Sequence, residues 1–399
     1  MTPPPKLIRR FTTLTAIILT AILAAALSQE SENPVIAGRW SRSYGALLGL
    51  LAISAALAWL ACLGRIQAAL WSARKPLCLL ALSLGLALGA VEFALRVVDP
   101  LGLAYHAEIA RYISLRQDDD VLAYVQPRNL ETSLDGVQVR FNNLGLRGTD
   151  LGPKQDEERR VLILGDSLAF GWGVPEESIF ATKLADLLAA ATGQTWTSIN
   201  AGVCSYNTEQ ERLYLEHSGL ALQPDLVILV YVDNDIVTYS ERWNQAEARK
   251  PPLRRRIKRK LMKSHLVQTA AHVLKRGSGG IELEGVERAV DASDPGWLRN
   301  MQALTELVEL CSLNGVPLAA YHFRWKSDSW SDELLAAARQ AAHPVEITDV
   351  APWFEGADLR TLVNSVTDSH PNANAHAITA QKMQDDLAER KLFEVVKGH

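Results

Sequence analysis

The chain has 399 residues, a net charge of −4 and four cysteines. Its length predicts two or three structural units. The slightly acidic charge excludes the basic surface typical of a nucleic-acid-binding protein, and four cysteines are too few for a disulfide scaffold. The Cys and His residues have none of the spacings typical of a metal site, so we predict neither a metal nor another cofactor.

The first 98 residues are strongly apolar and predict a membrane anchor. Three runs rich in Leu and Ala, Phe11–Leu27, Ala46–Leu63 and Leu77–Val98, are each about long enough to span a bilayer. Buried core helices are the alternative, which three such runs in close succession disfavour. For the first run, a signal peptide cleaved near "AALSQE" is a second alternative.

Basic residues flank these runs unevenly and predict the orientation of the anchor. They precede the first run and separate the second from the third, at Lys6, Arg9, Arg10, Arg65, Arg74 and Lys75. The only basic residues between the first and second runs are Arg39 and Arg42, and two glutamates lie in the same loop. Since cytoplasmic loops carry the excess of Lys and Arg, the N-terminus is predicted to be cytoplasmic. The anchor would then lie in the inner membrane, with everything after about residue 99 on the periplasmic side.

Residues 99–155 predict an extended, irregular linker region that packs on the domain after it. The segment contains "VQVRFNNLGLRG", an alternating strand that ends in a turn at Asn142 and Asn143. From residue 156 to 399, apolar strands alternate with helical patterns, which predicts a parallel, doubly wound α/β sheet. Strands are predicted at 160–165, 195–202, 225–232, 317–323 and 345–350, and helices at 177–192, 207–219, 297–313 and 331–342, before a final helix.

An insertion of about residues 236–296 interrupts this alternation. Leu253, Ile257 and Leu261 recur every four residues within a basic run, which predicts a basic amphipathic helix. A solvated surface helix, a lid over the sheet edge, and a contact with an anionic lipid or glycan through Arg254–Lys260 remain open.

Candidate site residues stand at the ends of the first three predicted strands and before the last helix. They are Ser167 after the first, Asn200 and Gly202 after the second, Asn234 and Asp235 after the third, and Asp368 and His370 before the last helix. The carboxyl ends of parallel strands share one edge of a sheet, so these residues could lie close together. A serine nucleophile is activated by a base, which a carboxylate orients, and the oxyanion formed in acyl transfer is stabilised by hydrogen-bond donors. The set therefore fits acyl transfer, with Ser167 as nucleophile, His370 as base and Asp368 as its partner. The N–H groups of Ser167 and Gly202 and the amide of Asn234 are candidate oxyanion donors.

The sequence resembles the SGNH, or GDSL-type, hydrolases over about residues 138–395. Four blocks occur in the family's order: "GDSL", "NAGV", "ND" and "DSHPN". The resemblance implies a flavodoxin-like three-layer α/β/α fold and a metal-free serine esterase mechanism, in a membrane-anchored bacterial member. Two positions depart from the pattern. Val232 replaces a usual glycine, and Asp368 precedes His370 by one intervening residue instead of two, with Thr367 at the usual Asp position. Some envelope polysaccharide acyltransferases of the superfamily also use Asp-x-His.

These features predict an extracytoplasmic esterase that removes O-acyl groups from an envelope carbohydrate or lipid through an acyl-enzyme. Acetyl is the expected acyl group by analogy alone, since the sequence shows no specificity pocket. An O-acyltransferase using the same triad is the first alternative. A non-catalytic envelope scaffold is the second, and the intact Ser167, His370 and Asn234 argue against it. The expected partners are the acylated carbohydrate or lipid and the membrane, without nucleic acid. His376, in the final helix, is interpreted as a structural residue.

Overall fold

A computed structural model describes residues 6–28, 39, 42–99, 102–232, 235, 264–275, 295–325, 336, 346–365 and 367–393. By their internal contacts, Met1–Phe93 and Ala94–His399 form two compact units. The predicted basic helix around Ile257, the predicted helix at 331–342 except residue 336, and Asn234 lie outside the described residues.

The N-terminal unit is helical. Its helices are α1 (Lys6–Leu27), α2 (Arg42–Ala61), α3 (Gly64–Ser72) and α4 (Arg74–Val98), the last of which continues into the second unit. Two segments, Arg9–Leu27 and Arg74–Val98, are long and apolar enough to cross a membrane. The second predicted run reaches this criterion only if Leu48–Ala61 and Ile66–Ser72, bent by 85°, are counted as one span. Two of the three predicted spans are therefore candidate membrane helices in their own right.

The segment after α4 is folded, and the predicted irregular linker is wrong over Tyr105–Leu115, which forms helix α5. Tyr105, Ile109 and Tyr112 lie on one face of this helix and pack into a cluster that also contains Phe170 and Trp172. The helical spacing of these three apolar residues was the sequence signal for α5. Four short strands follow: β1 (Gln117–Asp119), β2 (Ala123–Val125), β3 (Leu130–Leu134) and β4 (Val137–Phe141). β1 pairs with β2, and β3 pairs with β4 in a hairpin, both antiparallel.

The centre of the second unit is a five-stranded parallel sheet, as predicted. Its strands are β5 (Glu158–Gly165), β6 (Thr195–Asn200), β7 (Leu226–Tyr231), β8 (Leu318–His322) and β9 (Ile347–Asp349). The spatial order is β6-β5-β7-β8-β9, with every neighbouring pair parallel. This is the flavodoxin-like order, in which the first strand lies between the second and third. Every residue of β7 is buried, because helices cover both faces of the sheet.

Helices cover the two faces of the sheet and form separate cores. The remaining described α-helices are α6 (Ser167–Phe170), α7 (Phe180–Thr192), α8 (Thr208–Tyr214), α9 (His265–Lys275), α10 (Pro295–Leu313) and α11 (Ala373–Glu389). Val161 and Ile163 of β5 pack in one core with residues of α7 and α11. Leu162 and Leu164 point to the other face and pack with residues of α10. The alternating directions of successive β5 side chains thus divide the core into two layers.

Candidate active site

The serine lies in a tight turn between β5 and α6. Gly165, the last residue of β5, has a φ of +152°, and a Cβ there would lie 2.7 Å from the Cβ of Ala169. The Asp166 carboxylate caps α6 by accepting a hydrogen bond from the Leu168 N–H at 2.9 Å. Ser167 is consequently the first residue of α6, directly at the carboxyl end of a central strand, where α/β sheets place their ligands.

Ser167, His370 and Asp368 form one continuous hydrogen-bonded chain. The Oγ of Ser167 lies 2.8 Å from Nε2 of His370, although the two residues are 203 positions apart. On the other side of the ring, Nδ1 of His370 lies 2.5 Å from Oδ1 of Asp368. A carboxylate at Nδ1 fixes the imidazole tautomer that leaves Nε2 as acceptor for the serine proton.

Asp368 is buried and its carboxylate has several donors. It is 2% exposed. Its Oδ1 accepts the backbone N–H of His370 at 3.1 Å, and its Oδ2 accepts from Nδ2 of Asn364 at 3.1 Å. The Asp368 N–H in turn donates to Oγ of Ser365 at 3.1 Å. These bonds fix both the backbone turn and the carboxylate, so the one-residue spacing still brings Asp368 to the ring of His370.

Gly202 lies against the backbone of α6, and its N–H is engaged within its own loop. That N–H donates to Oδ1 of Asn200 at 3.0 Å, while Nδ2 of Asn200 donates to the carbonyl of Ala169 at 2.8 Å. A Cβ at position 202 would lie only 2.2 Å from the backbone nitrogen of Phe170. Any larger residue would push this loop away from the serine turn.

Asn234, the third predicted oxyanion donor, lies outside the described residues, but its neighbour Asp235 is placed. The Oδ2 of Asp235 accepts the Val232 N–H at 3.2 Å and the Thr208 hydroxyl at 3.3 Å. The Asp235 N–H donates back to the Val232 carbonyl at 3.0 Å. These bonds hold Asp235 close to Val232 at the end of β7, the strand next to β5.

Residues that precede the hydrolase-like motifs hold the Gly202 loop, which sequence reasoning did not anticipate. Nε2 of Gln126 donates to the carbonyl of Gly202 at 3.1 Å and to the hydroxyl of Tyr112 at 2.9 Å. The same hydroxyl accepts the Cys204 N–H at 3.1 Å. Arg116 and Tyr124 both donate to the Cys204 carbonyl, at 2.5 and 3.2 Å. Apart from the bond between Gln126 and Tyr112, their partners are backbone atoms, so no local motif marks these side chains.

Arg147 explains part of the "FNNLGLRG" motif. Its guanidinium is buried and donates to the carbonyls of Phe170, Gly171 and Val174, at 2.9, 2.6 and 2.5 Å. Burial lowers the pKa of Arg147 to about 10, so it remains charged at neutral pH. The cation thereby satisfies carbonyls at and beyond the C-terminal end of the serine helix α6.

Two aromatic rings and a second carboxylate surround His370. The ring centroids of Tyr105 and Trp172 lie 5.7 and 6.4 Å from that of His370. Asp135, in the β3–β4 turn, is half-buried near the same site. Burial and then repulsion from Asp368 raise the pKa of Asp135 to about 6. Asp135 is therefore the alternative to Asp368 as the carboxylate that orients His370.

Three further ionisable groups near the site are buried. The His376 ring stacks on Phe180 and accepts the Phe180 N–H at Nδ1, and burial lowers the pKa of His376 to about 3. Such a histidine is neutral and fits the structural reading made from the sequence. Burial also raises the pKa values of Glu211 and Asp235 well above the ordinary range of carboxyl groups. Among the described residues, no group of three or more His, Cys, Asp or Glu side chains is arranged to hold a metal ion.

Comparison with known proteins gives one family match. Residues 163–378, more than half of the chain, match the model of the GDSL-like Lipase/Acylhydrolase family. No curated protein matches the sequence of the chain.

Similar solved structures have low sequence identity to this chain. A two-domain esterase active on acetylated mannans is 15% identical over 58% of this chain and 49% of its own, with a TM-score of 0.38. The chain thus spans about half the length of that structure. An acetyl xylan esterase is 15% identical over 57% of this chain and 99% of its own, with a TM-score of 0.35. A lipase/acylhydrolase from Enterococcus faecalis is 13% identical over 58% and 96%, with a TM-score of 0.36.

Proposed function

We propose, from the premise that the chain belongs to the GDSL-like lipase/acylhydrolase family of ester hydrolases, that Ser167, His370 and Asp368 are its catalytic triad. The observation that carries this proposal is the hydrogen-bonded chain from Asp368 through His370 to Ser167, with heavy-atom distances of 2.5 and 2.8 Å. A serine hydroxyl is a weak nucleophile, and such an arrangement is what activates it.

The geometry supports a two-step acyl transfer. Nε2 of His370 takes the proton of Ser167 while Oγ attacks the ester carbonyl carbon, and the imidazolium is stabilised by Asp368. Collapse of the tetrahedral intermediate breaks the bond to the alcohol, which receives the proton from His370. The acyl group remains on Oγ. Water, deprotonated by the same imidazole, then releases the carboxylic acid and restores the serine.

For the oxyanion we propose the N–H groups of Ser167 and Gly202 and the side-chain amide of Asn234. The N–H of Ser167 lies in the first turn of α6, where helical N–H groups have no intrahelical acceptor. The N–H of Gly202 already donates to Asn200, so an oxyanion would share this donor or displace the Asn200 carbonyl. The loop backbone is kept in place during that exchange by the bond that Gln126 donates to the Gly202 carbonyl and by the bond that the Cys204 N–H donates to the Tyr112 hydroxyl.

The natural substrate we propose is an O-acylated carbohydrate or lipid of the cell envelope, reached from the periplasmic side of the inner membrane. Two candidate membrane helices and the basic residues on their flanks support this location. Acetyl is proposed as the acyl group by analogy with the envelope acyltransferases that share the Asp-x-His spacing. The domain limits we propose are an anchor at 1–98, a packed segment at 99–155 and a hydrolase domain at 156–399.

The basic run Arg254–Lys260 is proposed as a contact for anionic lipid or glycan. It lies outside the described residues, and its charge supports the proposal because each Lys or Arg near an anionic surface contributes about 1 kcal/mol. Replacing its six Lys and Arg residues by Gln is expected to remove salt-dependent binding to anionic glycans or lipids while small-ester hydrolysis persists. Loss of small-ester hydrolysis in a folded variant would instead make the run part of the active-site wall.

The triad is tested with the full chain in detergent and a small activated acetyl ester. Ser167→Ala is expected to remove most of the hydrolysis and all labelling by a fluorophosphonate probe. Ser312→Ala, an exposed serine near the end of α10, is the matched control and is expected to keep both. Equal rates for the wild type and Ser167→Ala would refute the serine mechanism. Transfer of acetyl to an added glycan, in place of release as acetate, would favour the transferase.

A further inference from the structure

The chain passes from the end of α4 into the catalytic unit through a hydrogen-bonded turn. The Asp99 N–H donates to the Leu95 carbonyl of α4 at 2.9 Å, and the Gly102 N–H donates to the Asp99 carbonyl at 3.0 Å. The Asp99 carboxylate accepts the N–H groups of Leu103 and Ala104 at 2.7 and 2.9 Å, just before α5. The last turn of α4 and the start of α5 are thus joined by direct bonds across the turn.

This turn contacts the loop that carries Asp368 and His370. The Thr367 hydroxyl donates to the Gly102 carbonyl at 2.8 Å, across 265 positions of sequence. A Cβ on Gly102 would lie 2.1 Å from Oγ of Ser365, the hydroxyl that accepts the Asp368 N–H. Gly102 also has a φ of +68°, so both its conformation and its packing need glycine. The residue before Asp368 and the residue that holds its backbone are therefore both in contact with the turn.

The first residue of α5 continues this contact to the base itself. The Tyr105 ring centroid lies 5.7 Å from that of His370 and 6.1 Å from that of Trp172. Burial raises the pKa of the Tyr105 hydroxyl further above neutral, so this ring is an uncharged wall beside the imidazole. The site is consequently built partly from residues that follow α4 within a few positions.

Chain length then limits how far the Asp368–His370 loop can be from the end of α4. Four peptide units separate Val98, the last residue of α4, from Gly102, and they span at most about 14 Å. Phe93, Val97 and Val98 are 69, 68 and 72% exposed. Large apolar side chains so exposed along a candidate membrane span are those that lipid would cover. Since Thr367 bonds the Gly102 carbonyl, the loop of Asp368 and His370 is tethered to the end of α4 by a few residues. A triad tethered so closely to a candidate membrane span would meet substrates held in that membrane.

We propose that the natural substrate is an acyl ester on an alcohol that is itself anchored in the bilayer, such as a lipid or a lipid-linked glycan. This rests on the proposed function and narrows its substrate class, leaving out carbohydrate free in solution. In the reaction, the acyl carbon–oxygen bond to the anchored alcohol breaks and the proton from His370 restores its hydroxyl. The alcohol stays in the membrane, and water releases the acid into solution.

The test places the full chain in vesicles of phosphatidylethanolamine and phosphatidylglycerol with two probes. Methylumbelliferyl acetate is soluble, and heptadecylumbelliferyl acetate carries the same ester on a membrane-held alkyl chain. A charged helical spacer of about 18 residues, inserted between Val98 and Asp99, lifts the catalytic unit by about 27 Å while keeping the helical phase. The same spacer placed before Lys6 is the matched control.

We expect the Val98–Asp99 spacer to lower hydrolysis of the membrane-held probe by a factor of ten or more and to leave the soluble probe within a factor of two. The spacer before Lys6 should change neither rate. Unchanged rates on both probes for the Val98–Asp99 spacer would overturn the inference while the proposed function stands. If the wild type cleaves neither probe faster than Ser167→Ala, the proposed function itself fails.

A second measurement covers the case in which the Val98–Asp99 spacer variant is inactive on both probes. The wild type is mixed with membrane-held probe either in its own vesicles or in separate ones. Hydrolysis at least ten times faster in the shared vesicles is expected, because the site would be held at that surface. Equal rates in shared and separate vesicles would overturn the inference.

Discussion

His370 and Asp368 are hydrogen-bonded across a single intervening residue, with Nδ1 of the ring 2.5 Å from Oδ1 of the carboxylate. The same oxygen accepts the backbone N–H of His370 at 3.1 Å. One carboxylate therefore fixes both the backbone and the ring of the proposed base. Asp135 is a second carboxylate near this histidine, so the role of Asp368 can be tested by comparing variants of the two residues.

Asp368→Asn is expected to lower kcat by about 10⁴, because an amide at this position favours the wrong imidazole tautomer. Asp135→Asn is the matched variant and is expected to have only a small effect, since Asp368 already occupies Nδ1 of His370. Steady-state hydrolysis of a small acetyl ester by the full chain in detergent measures both. A larger loss in Asp135→Asn than in Asp368→Asn would exchange the two roles.

Asn234→Ala is expected to lower kcat by about 10²–10³ with little change in KM, as removal of an oxyanion donor does. The physical reason is that the amide would bind charge that exists only in the tetrahedral intermediate. The same ester assay gives both constants. A rise in KM alone would mean that Asn234 contacts the substrate in its ground state.

Arg147→Met is expected to destabilise the protein by about 3 kcal/mol or more. It leaves the buried carbonyls of Phe170, Gly171 and Val174 without their charged donor, and each unsatisfied group costs about 1–3 kcal/mol. Arg140→Met is the control. Arg140 pairs with Glu176 at 3.5 Å and donates to the Gly148 carbonyl at 3.1 Å. Its side chain is 42% exposed, so water can replace both bonds and its loss should cost about 1 kcal/mol or less. Thermal unfolding followed by tryptophan fluorescence measures the difference, and equal shifts for the two variants would contradict the prediction.

Glu211→Gln is expected to stabilise the protein increasingly as the pH rises. Glu211 is 1% exposed, and neither carboxyl oxygen has a hydrogen-bond partner among the described residues. Burial, and then repulsion from Asp166, raise its pKa well above 4.5. The folded protein therefore binds a proton that the unfolded chain releases, so the wild type loses stability as the pH rises above the unfolded pKa. Glutamine removes this loss, which amounts to about 1.4 kcal/mol for each unit of pKa difference.

Melting temperatures of the wild type and Glu211→Gln at about pH 5 and about pH 8 test this prediction. The variant should melt at a higher temperature than the wild type, and the difference should be larger at the higher pH. About 1 kcal/mol corresponds to a shift of roughly 2–4 °C in a domain of this size. Glu216→Gln removes a 45% exposed carboxylate that pairs with Arg212 at 2.6 Å, so this variant should not gain stability over the wild type toward the higher pH. If the difference in melting temperature between Glu211→Gln and the wild type is the same at both pH values, the prediction that burial raises the pKa of Glu211 is contradicted.

A C-terminal alkaline phosphatase fusion is expected to be active and an N-terminal fluorescent fusion to be fluorescent, as three spans place the two termini on opposite sides. The bent pair Leu48–Ala61 and Ile66–Ser72 decides this, because two spans would leave both termini on one side. Basic residues before the first span and near Arg74 favour the three-span arrangement. An inactive phosphatase fusion would place the catalytic unit in the cytoplasm.

The sequence by itself determined the α/β class and the residues proposed for the reaction. Continuous apolar strands such as Leu226–Tyr231 and the helices between them are local patterns. The flavodoxin-like arrangement was implied by the motifs that the sequence shares with SGNH hydrolases. Ser167 and His370 were paired from motifs that lie 203 positions apart, because each follows or precedes an element of regular structure at the same sheet edge. Their distance and hydrogen bonds needed the structure.

Only the tertiary structure decided what residues 99–148 contribute. Gln126 bonds the Gly202 carbonyl, Arg147 bonds carbonyls beyond Ser167, and Thr367 bonds the Gly102 carbonyl. Backbone carbonyls exist at every residue, so a side chain that binds one leaves no pattern in the sequence of its partner. The buried carboxyl of Glu211 was equally hidden, because burial of a polar residue in α8 depends on which elements the fold brings against that helix.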